Sequence, residues 1–403
     1  MVITCARSPK DPSPIFKEAL LFVFLNFLSG IVITTAHAQS RNVDGSFLVN
    51  ARVNGVPAVL MLDTGAEYSV LDRQFAQRLG LRSIAIADLR KLYSSESTEI
   101  MLVSTLETQT MHGSDVKVIT DDLTATSRAI GEHIDGVLGD DLLQTSTITL
   151  DYGAGSMSVD PAAGVHHGVL IKLRKLDDRY FVLLELDRVP MALLLDTGTN
   201  FSMLSQSGLQ KLNHDRTEDP IINGVRSPGT SATSQLVCIH QLVIGGISYQ
   251  HFPMRVQPTT SAGLFADPGI DGLLGSDFLG QFVVELDLAN RTMYLNHDHN
   301  VEGDQDRLST IGIQFAKDPT GVFTVMAVWS PTPASEANLK MGDQILSVNG
   351  LDTSEMTQQD LSRQLHGEPG REIQLRIRSE EEDRTVRLTT RNLLCRSALT
   401  RAR

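Results

Sequence analysis

The chain has 403 residues, more than a typical single domain, and its length suggests two to four folding units. With 35 Lys and Arg against 48 Asp and Glu, its formal net charge at pH 7 is -13. This charge would repel phosphate backbones, and an aromatic content of 5% disfavours base-stacking surfaces, so the composition argues against nucleic-acid binding.

The segment 1–38 follows the order of a secretory signal peptide. Arg7, Lys10 and Lys17 precede an apolar run over 19–35, and the small residues Ala36 and Ala38 follow it. We expect cleavage after Ala38 and a periplasmic or secreted mature protein. The alternative is an uncleaved membrane anchor, because the apolar run is close to the length that spans a bilayer.

Two later motifs each occur twice. LMLDTGAEYSVL over 60–71 nearly repeats as LLLDTGTNFSML over 193–204, and HIDGVLGDDLL over 133–143 repeats as GIDGLLGSDFL over 269–279. The offset from Asp63 to Asp196 is nearly the same as the offset from Asp135 to Asp271. Because the landmarks stay in register, the segment from about 43 to 297 is predicted to be a duplicated unit.

Each copy is predicted to be a mostly β lobe. Short runs rich in Val, Ile, Leu and Thr are bounded by Gly, Asp, Asn and Pro, which indicates antiparallel strands joined by hairpins. Short helices are expected over 72–79 and 205–212. We place the two lobes at 43–163 and 168–299 and expect a pseudo-twofold axis between them.

Asp63 and Asp196 each follow an apolar strand and begin an Asp-Thr-Gly turn. A single turn of this kind is most often only structural. Two copies related by a twofold axis would bring the carboxylates face to face, where like charges cannot both ionise freely. One carboxylate then serves as general base and the other as general acid, which suits peptide-bond hydrolysis by an activated water.

These paired motifs resemble those of the aspartic protease superfamily, in particular its retropepsin-like members. The resemblance covers both lobes and implies that Asp63 and Asp196 are catalytic, and that a mobile hairpin flap closes over an extended peptide. Residues 111–113 and Tyr93 are candidates for the flap. By the same resemblance, the catalytic loops contain Thr64, Gly65, Ala66, Thr197, Gly198 and Thr199, and the strands beneath them contain Val137, Leu138, Gly139, Leu273, Leu274 and Gly275.

The two copies differ directly after the triplet, where Ala66 in the first corresponds to Thr199 in the second. A hydroxyl that donates to a carboxylate favours the charged form of that carboxylate. We therefore expect Asp196 to be the charged base and Asp63 the protonated partner.

Five further acidic residues accompany the second motif. Asp135 and Asp271 could be extra acids near the catalytic pair, but an Asp-Gly before an apolar pair reads more simply as a turn that begins the buried strand. Asp140, Asp141 and Asp277 are predicted to cap or solvate the turn that follows.

The last part of the chain differs in character. TIGIQF, MGDQIL and SVNG occur in that order before an amphipathic segment and two strands, and together they resemble a bacterial PDZ domain. The resemblance predicts a small α+β domain over 306–391, with helices over 335–339 and 360–365, that binds peptides as an added strand or serves as a structural cap. It implies a loop for the peptide carboxyl terminus at Ile311, Gly312 and Ile313.

Several other signals are weaker. Cys238 and Cys395 do not form a dense disulfide framework, although one bridge between them stays open. The histidines at 166–167 and 297–299 lack companion ligands, so we expect solvated loops and neither a metal site nor a cofactor. Residues 392–403 are predicted to be a disordered tail.

The sequence thus predicts a mostly β protein with two homologous aspartic-protease lobes followed by a small PDZ domain. We expect an aspartic endopeptidase whose partners are polypeptide substrates and peptide C-termini, with no nucleic acid. A monomer is expected because one chain carries both catalytic motifs. The alternatives are a protease active only as an intermolecular dimer and a noncatalytic periplasmic peptide-binding scaffold.

Overall fold

A computed structural model describes residues 4–6, 40–92, 94–160, 166–176, 178–212, 222–226, 233–257, 262–267, 269–297, 309–318, 320–380 and 382–393. The predicted signal peptide lies outside these ranges except for residues 4–6. None of the helices in the described ranges has the length and apolar content that a membrane span requires.

The N-terminal lobe contains the first copy of the repeat. Its strands are β1 (Thr4–Ala6), β2 (Ser40–Val43), β3 (Ser46–Val53), β4 (Val56–Leu62), β5 (Val70–Asp72), β6 (Ser83–Arg90), β7 (Ser95–Glu107), β8 (His112–Asp121), β9 (Gly136–Leu138), β10 (Thr147–Asp151) and β11 (Ser156–Asp160), and its helices are α1 (Arg73–Arg78), α2 (Thr124–Ile130) and α3 (Asp140–Leu143). The first nine strands form one sheet in the order β1-β6-β7-β8-β5-β9-β4-β3-β2. Helix α1 confirms the predicted helix over 72–79.

The C-terminal lobe contains the second copy. Its strands are β12 (Val169–Leu176), β13 (Arg179–Leu186), β14 (Val189–Leu195), β15 (Met203–Leu204), β16 (Ile222–Arg226), β17 (Thr233–Ile244), β18 (Ile247–Val256), β19 (Gly272–Leu274), β20 (Phe282–Asp287) and β21 (Thr292–His297), and its helices are α4 (Gln206–Leu212), α5 (Ser276–Leu279) and a 3-10 turn at Leu264–Ala266. These strands join β10 and β11 in the order β11-β10-β20-β21-β12-β13-β14-β19-β15-β18-β17-β16.

The two lobes repeat the same strand arrangement. In the first, β9 lies between β4 and β5, parallel to β4 and antiparallel to β5; in the second, β19 lies in the same way between β14 and β15. Strands β10 and β20 pair antiparallel with Thr149 opposite Glu285, and these two positions have the same offset along the chain as Asp135 and Asp271. Because equivalent positions face each other, this pair lies on the predicted pseudo-twofold axis, and the duplicated β lobes are confirmed.

One large apolar cluster runs through both lobes. Phe47 on β3 and Phe181 on β13 occupy equivalent positions, and both are buried. One buried cluster includes Leu60 from the first lobe together with Leu193 and Phe278 from the second. Burying each such side chain contributes about 1.5–3 kcal/mol, so the core stabilises the lobes as a pair.

The third unit follows the two lobes. Its strands are β22 (Ser309–Thr310), β23 (Ile313–Lys317), β24 (Phe323–Val328), β25 (Gln344–Val348), β26 (Leu351–Asp352), β27 (Glu372–Ser379), β28 (Glu382–Thr389) and β29 (Arg391–Asn392), and its helices are α6 (Pro333–Glu336) and α7 (Gln358–Leu365). The main sheet has the order β23-β24-β25-β27-β28, so β23 is an edge strand among the described residues.

Both helices of the third unit begin slightly earlier than predicted, at Pro333 and Gln358. The side chains of Thr332 and Thr357 accept hydrogen bonds from the main-chain N–H groups of Ser335 and Asp360, and each forms a reciprocal capping box. Pro333 also favours the first helical position, because it has no N–H to leave unbonded there. The caps therefore set the helix starts.

Asp135 and Asp271 hold the buried strands to their neighbours. Oδ2 of Asp135 accepts a hydrogen bond from the main-chain N–H of Val59 at 3.0 Å, and Oδ2 of Asp271 accepts the equivalent bond from Ala192 at 3.0 Å. Asp271 also forms an ion pair with Lys211. These contacts support the turn interpretation rather than the alternative of extra acids.

Replacing Asp271 with Ala should lower the free energy of unfolding by about 1.5–3 kcal/mol, because the N–H of the half-buried Ala192 loses its charged acceptor. Urea denaturation of the full chain measures the change. Asp271→Asn is the matched control, since its amide oxygen can still accept the bond, and it should lose less stability. An Ala variant as stable as the wild type would contradict the assigned role.

Candidate active site

The buried strands position both Asp-Thr-Gly loops. Asp63 follows β4, and its main-chain N–H donates to the carbonyl of Leu138 on β9 at 3.1 Å. Asp196 follows β14, and its N–H donates to the carbonyl of Leu274 on β19 at the same distance. Of the residues predicted for these strands, Val137 and Leu138 lie on β9 and Leu273 and Leu274 lie on β19, whereas Gly139 and Gly275 come directly after the strands, at the N-cap positions of α3 and α5.

Thr64 and Thr197 bond to each other across the lobe boundary. The main-chain N–H of Thr64 donates to Oγ1 of Thr197 at 3.0 Å, and the N–H of Thr197 donates to Oγ1 of Thr64 at 3.2 Å. Each hydroxyl also donates to a carbonyl of the other lobe. Oγ1 of Thr64 donates to Leu195, and Oγ1 of Thr197 donates to Leu62. The two loops are therefore held together by buried and reciprocal hydrogen bonds.

Each of the two carboxyl groups lies against the glycine of the opposite loop. Asp63 and Asp196 are both completely buried, and each accepts a hydrogen bond from the glycine N–H of its own triplet, at 2.8 and 2.9 Å. A Cβ added to Gly65 would lie 2.8 Å from Cγ of Asp196, and one added to Gly198 would lie 2.3 Å from Cγ of Asp63. Only glycine therefore lets each carboxyl group lie against the opposite loop.

Burial, together with the negative charge of Asp196, raises the pKa of Asp63 from its ordinary value of 3.8 to about 7. The hydrogen bond from Gly65 acts in the opposite direction, because it stabilises the ionised form. Asp63 is therefore protonated below about pH 7. This agrees in direction with the expectation that Asp63 is the protonated partner.

The sequence suggested that a hydrogen bond from the Thr199 hydroxyl would keep Asp196 charged and leave Asp63 protonated. This reason is wrong. Oγ1 of Thr199 lies 3.4 Å from the carbonyl of Phe201, to which it donates, so this hydroxyl does not serve the carboxylate of Asp196. Ala66 is fully buried in the apolar cluster of the first lobe. The raised pKa of Asp63 follows from burial and a neighbouring charge.

A serine and an aspartate support each catalytic loop from behind. In the first lobe, Ser69 donates its N–H and its hydroxyl to Oδ1 of Asp141, at 2.9 and 2.8 Å, and its oxygen accepts the N–H of Gly139. Ser202 and Asp277 repeat these contacts in the second lobe. The N-cap residues of the following helices, Gly139 and Gly275, make no side-chain cap bond, but Oδ1 of Asp277 accepts the N–H of Phe278 at 2.9 Å in the first turn of α5, so the predicted bond to this turn is present for Asp277.

Asp140 is neither a cap nor solvated. Its side chain is buried, and Oδ2 lies 3.2 Å from Nζ of Lys175 on β12 of the other lobe. Burial raises the pKa of Asp140 to about 6, while the charge of Lys175 opposes that rise. This ion pair ties the first catalytic loop to the second lobe.

The hairpin of β6 and β7 reaches across the lobe boundary. At its tip, the carbonyl of Lys91 accepts the N–H of Leu264 at 2.9 Å, and Leu92 packs against an apolar cluster of the C-terminal lobe that contains Leu264. Of the two flap candidates, Tyr93 lies outside the described residues. Met111 lies instead in the turn between β7 and β8, and residues 112–113 begin β8.

Ile311, Gly312 and Ile313 lie where the edge strand β23 begins. Ile311 is fully buried, and Gly312 has a φ of +86° with its carbonyl accepting the N–H of Trp329 at 2.9 Å. Ile313 is the first residue of β23. In the middle of this strand, the carbonyl of Phe315 accepts the side-chain amide of Gln358 on α7 at 2.9 Å.

His166 is not in a solvated loop. Its ring stacks on Tyr294 with the ring centroids 4.2 Å apart, and Nδ1 bonds to the carboxylate of Glu285. The solvated-loop prediction is therefore wrong for this residue. The side chain of His297 and residues 298–299 lie outside the described residues.

Comparison with known families identifies the domains. Residues 49–142 and 182–278 match the family model of the aspartyl protease, and residues 309–390 match that of the PDZ domain. The two lobes are therefore aspartyl-protease-like domains, and the third unit is a PDZ domain. No curated protein matches the chain.

Similar solved structures share only part of the chain. A photosystem II D1 C-terminal processing protease is 24% identical with a TM-score of 0.20, and the match covers 21% of this chain and 23% of that protein. This chain thus spans less than a quarter of the processing protease. A retropepsin-like aspartic protease from Rickettsia conorii is 20% identical with a TM-score of 0.25, over 32% of this chain and 89% of that protein.

Replacing Thr197 with Val should lower the free energy of unfolding by about 1–3 kcal/mol, because the buried N–H of Thr64 then has no acceptor. Thr197→Ser keeps the hydroxyl and should lose less stability. Urea denaturation of both variants provides the comparison. If Val and Ser have equal effects, the hydroxyl bond does not hold the two loops together.

Proposed function

We propose that the chain is an aspartic endopeptidase in which Asp63 and Asp196 act as a catalytic pair. The observation that carries this proposal is the burial of the two carboxyl groups against each other's glycine, in loops joined by Thr64 and Thr197. Two acidic groups held this close divide one proton between them. Such a pair supplies an acid and a base to one reaction.

In the proposed reaction, Asp196 takes a proton from a water that attacks the scissile carbonyl carbon. Asp63 donates its proton to the carbonyl oxygen, so a tetrahedral diol forms without a covalent bond to the enzyme. Asp196 then transfers the proton that it took from the water to the amide nitrogen, and Asp63 takes back a proton from a hydroxyl of the diol as the C–N bond breaks and the carboxylic acid forms. The raised pKa of Asp63 supports its role as the acid at neutral pH.

The proposed substrate is an extended polypeptide lying beneath the hairpin of β6 and β7. The hairpin spans from the first lobe to Leu264 in the second, so it can cover a chain that runs along the lobe boundary. Because both carboxyl groups come from one chain, we propose that the monomer is active. An active site formed between two chains would not account for the hydrogen bonds between Thr64 and Thr197, which lie within one chain.

We further propose that the PDZ domain binds polypeptide carboxyl termini at Ile311, Gly312 and Ile313. The edge strand β23 supports this, since an extended peptide adds to a sheet at such an edge. A periplasmic or secreted location with cleavage after Ala38 is also proposed. Cys238 is disulfide-bonded, which fits an oxidising compartment.

Asp63→Asn and Asp196→Asn should each lower the rate of cleavage of unfolded casein by about 10²–10⁴-fold, because each removes one partner of the acid–base pair. Cleavage of casein by the wild-type protein should be inhibited by pepstatin. Asp115→Asn is the matched control, since Asp115 is an exposed hairpin residue with a φ of +52° that Asn also tolerates. Full activity in either catalytic-loop variant would refute the proposed pair.

Activity should also fall as pH rises through about 7. Asp63 must carry a proton to act as the acid, and its pKa of about 7 means that the proton is lost above this pH. A profile of kcat/KM between pH 4 and 9 measures the upper limb, with the folded fraction followed by circular dichroism at each pH. A constant rate from pH 6 to 9 would contradict the acid role of Asp63.

A further inference from the structure

The PDZ domain is joined to the C-terminal lobe around Trp329, the only tryptophan of the chain. Its side chain is 6% exposed and packs with Ile222, Val225, Leu236 and Cys238 of that lobe. These residues belong to the hairpin of β16 and β17. By the repeat, this hairpin is the counterpart of the β6–β7 hairpin, which we have proposed to cover the active-site cleft at Asp63 and Asp196.

Main-chain bonds reinforce this contact. The N–H of Asn223 on β16 donates to the carbonyl of Ser330 at 2.9 Å, and the N–H of Ser330 donates back to the carbonyl of Asn223 at 3.0 Å. Next to this bridge, Gly224 has a φ of +90°, and an added Cβ would lie 2.8 Å from the carbonyl of Val328. A short piece of the PDZ chain thus pairs with the edge of the second hairpin.

The same piece holds the proposed carboxylate-binding loop. The N–H of Trp329 donates to the carbonyl of Gly312, and its indole N–H donates to Oε1 of Gln314 at 3.3 Å. The hydroxyl of Thr332, which donates to the carbonyl of Trp329, lies 2.5 Å from a Cβ added to Gly312. A peptide that moves this loop must also move Trp329.

The cluster around Trp329 continues to the second catalytic loop. Phe201 packs against this cluster and also against the apolar cluster that contains Leu194 and Leu92. Leu194 lies on the strand that leads into Asp196, and Leu92 lies at the tip of the first hairpin. Phe201 therefore contacts both the PDZ junction and the surroundings of the active site.

The PDZ groove, between β23 and α7, touches the N-terminal lobe at the end away from residues 311–313. Helix α2 lies beside β23, and a Cβ added to Gly131 at its end would be 3.2 Å from Cβ of Gln358. Gln358 is the residue that bonds to the edge carbonyl of Phe315. An extended peptide added along β23 would therefore meet groups fixed by both lobes.

We propose that the PDZ groove and the active-site cleft are energetically coupled through Trp329 and β16. A polypeptide carboxyl terminus bound at residues 311–313 changes the affinity of the cleft for polypeptide. Occupancy of the cleft changes the affinity of residues 311–313 for the carboxyl terminus by the same factor. This inference rests on the proposed protease function. It adds to that function a polypeptide ligand of the PDZ domain. This ligand regulates the cleft, in addition to being held near it.

The test is hydrogen–deuterium exchange of the full chain with and without saturating pepstatin, together with the fluorescence emission of Trp329. We expect exchange to slow by about fivefold or more both in the catalytic loops, at 63–66 and 196–201, and in the PDZ segment 311–317. The emission maximum of Trp329 should shift at the same pepstatin concentration. Pepstatin has no contact with the PDZ segment if it binds in the cleft, so protection there reports coupling.

The route of the coupling is tested with two glycine variants of similar backbone strain. Gly224→Val places a side chain against the PDZ carbonyl of Val328 and should remove the response at 311–317 while the catalytic loops stay protected. Gly246→Val is the matched control, because Gly246 has a φ of +86° with nothing within 4 Å of its added Cβ. If Gly224→Val does not fold, Trp329→Leu replaces it, with exchange as the readout.

The outcomes separate the two proposals. Protection of the catalytic loops with no change at 311–317 and no emission shift overturns the coupling but leaves the protease function intact. If pepstatin slows exchange at 311–317 as much in Gly224→Val as in Gly246→Val, the route through β16 is overturned. Protection of neither catalytic loop refutes the proposed protease site and the coupling together.

Discussion

The structure depends on one reciprocal contact, in which the main-chain N–H of Thr64 and that of Thr197 each donate to the other residue's hydroxyl. A buried N–H without an acceptor costs about 1–3 kcal/mol, so neither loop is satisfied without the other lobe. The pairing of β10 with β20 and the shared apolar core bring the lobes to the distance at which this contact forms. Two acidic groups that would repel each other are thereby kept buried together.

The pseudo-twofold symmetry ends close to the acidic pair. Asp140 and Ser276 occupy equivalent positions, yet only Asp140 pairs with a lysine from the opposite lobe. Tyr152 is equivalent to Leu288, and burial raises the pKa of the Tyr152 hydroxyl, with the charges of Asp196 and Asp277 adding to that rise. The two carboxyl groups therefore lie in unlike surroundings. A division into one acid and one base requires such a difference, which identical half-sites would not supply.

The sequence was sufficient for the lobes, the strand beneath each loop and the PDZ domain, because these depend on a repeated pattern of apolar strands and turn residues. It was insufficient where a partner lies far along the chain. Ser69 and Ser202 carried a signal, since serine is the polar residue that both copies retain after Asp-Thr-Gly. Their aspartate acceptors, Asp141 and Asp277, lie in the second motif of each copy, so pattern alone suggested caps. Helix α2 was missed because its sequence, TATSRAI, contains little apolar periodicity.

The sequence also did not predict how the PDZ domain is attached to the lobes, because much of the attachment consists of main-chain hydrogen bonds. Any residue except proline could supply the main-chain N–H and carbonyl of Asn223 or Ser330, so the identities of these two residues do not reveal the bridge. A domain that served only to raise the local concentration of substrate would need a linker and no fixed contact with either lobe. Here the groove is held at one end by β16 and lies at the other against α2. Such a position suits a domain whose ligand alters the relation between the two lobes.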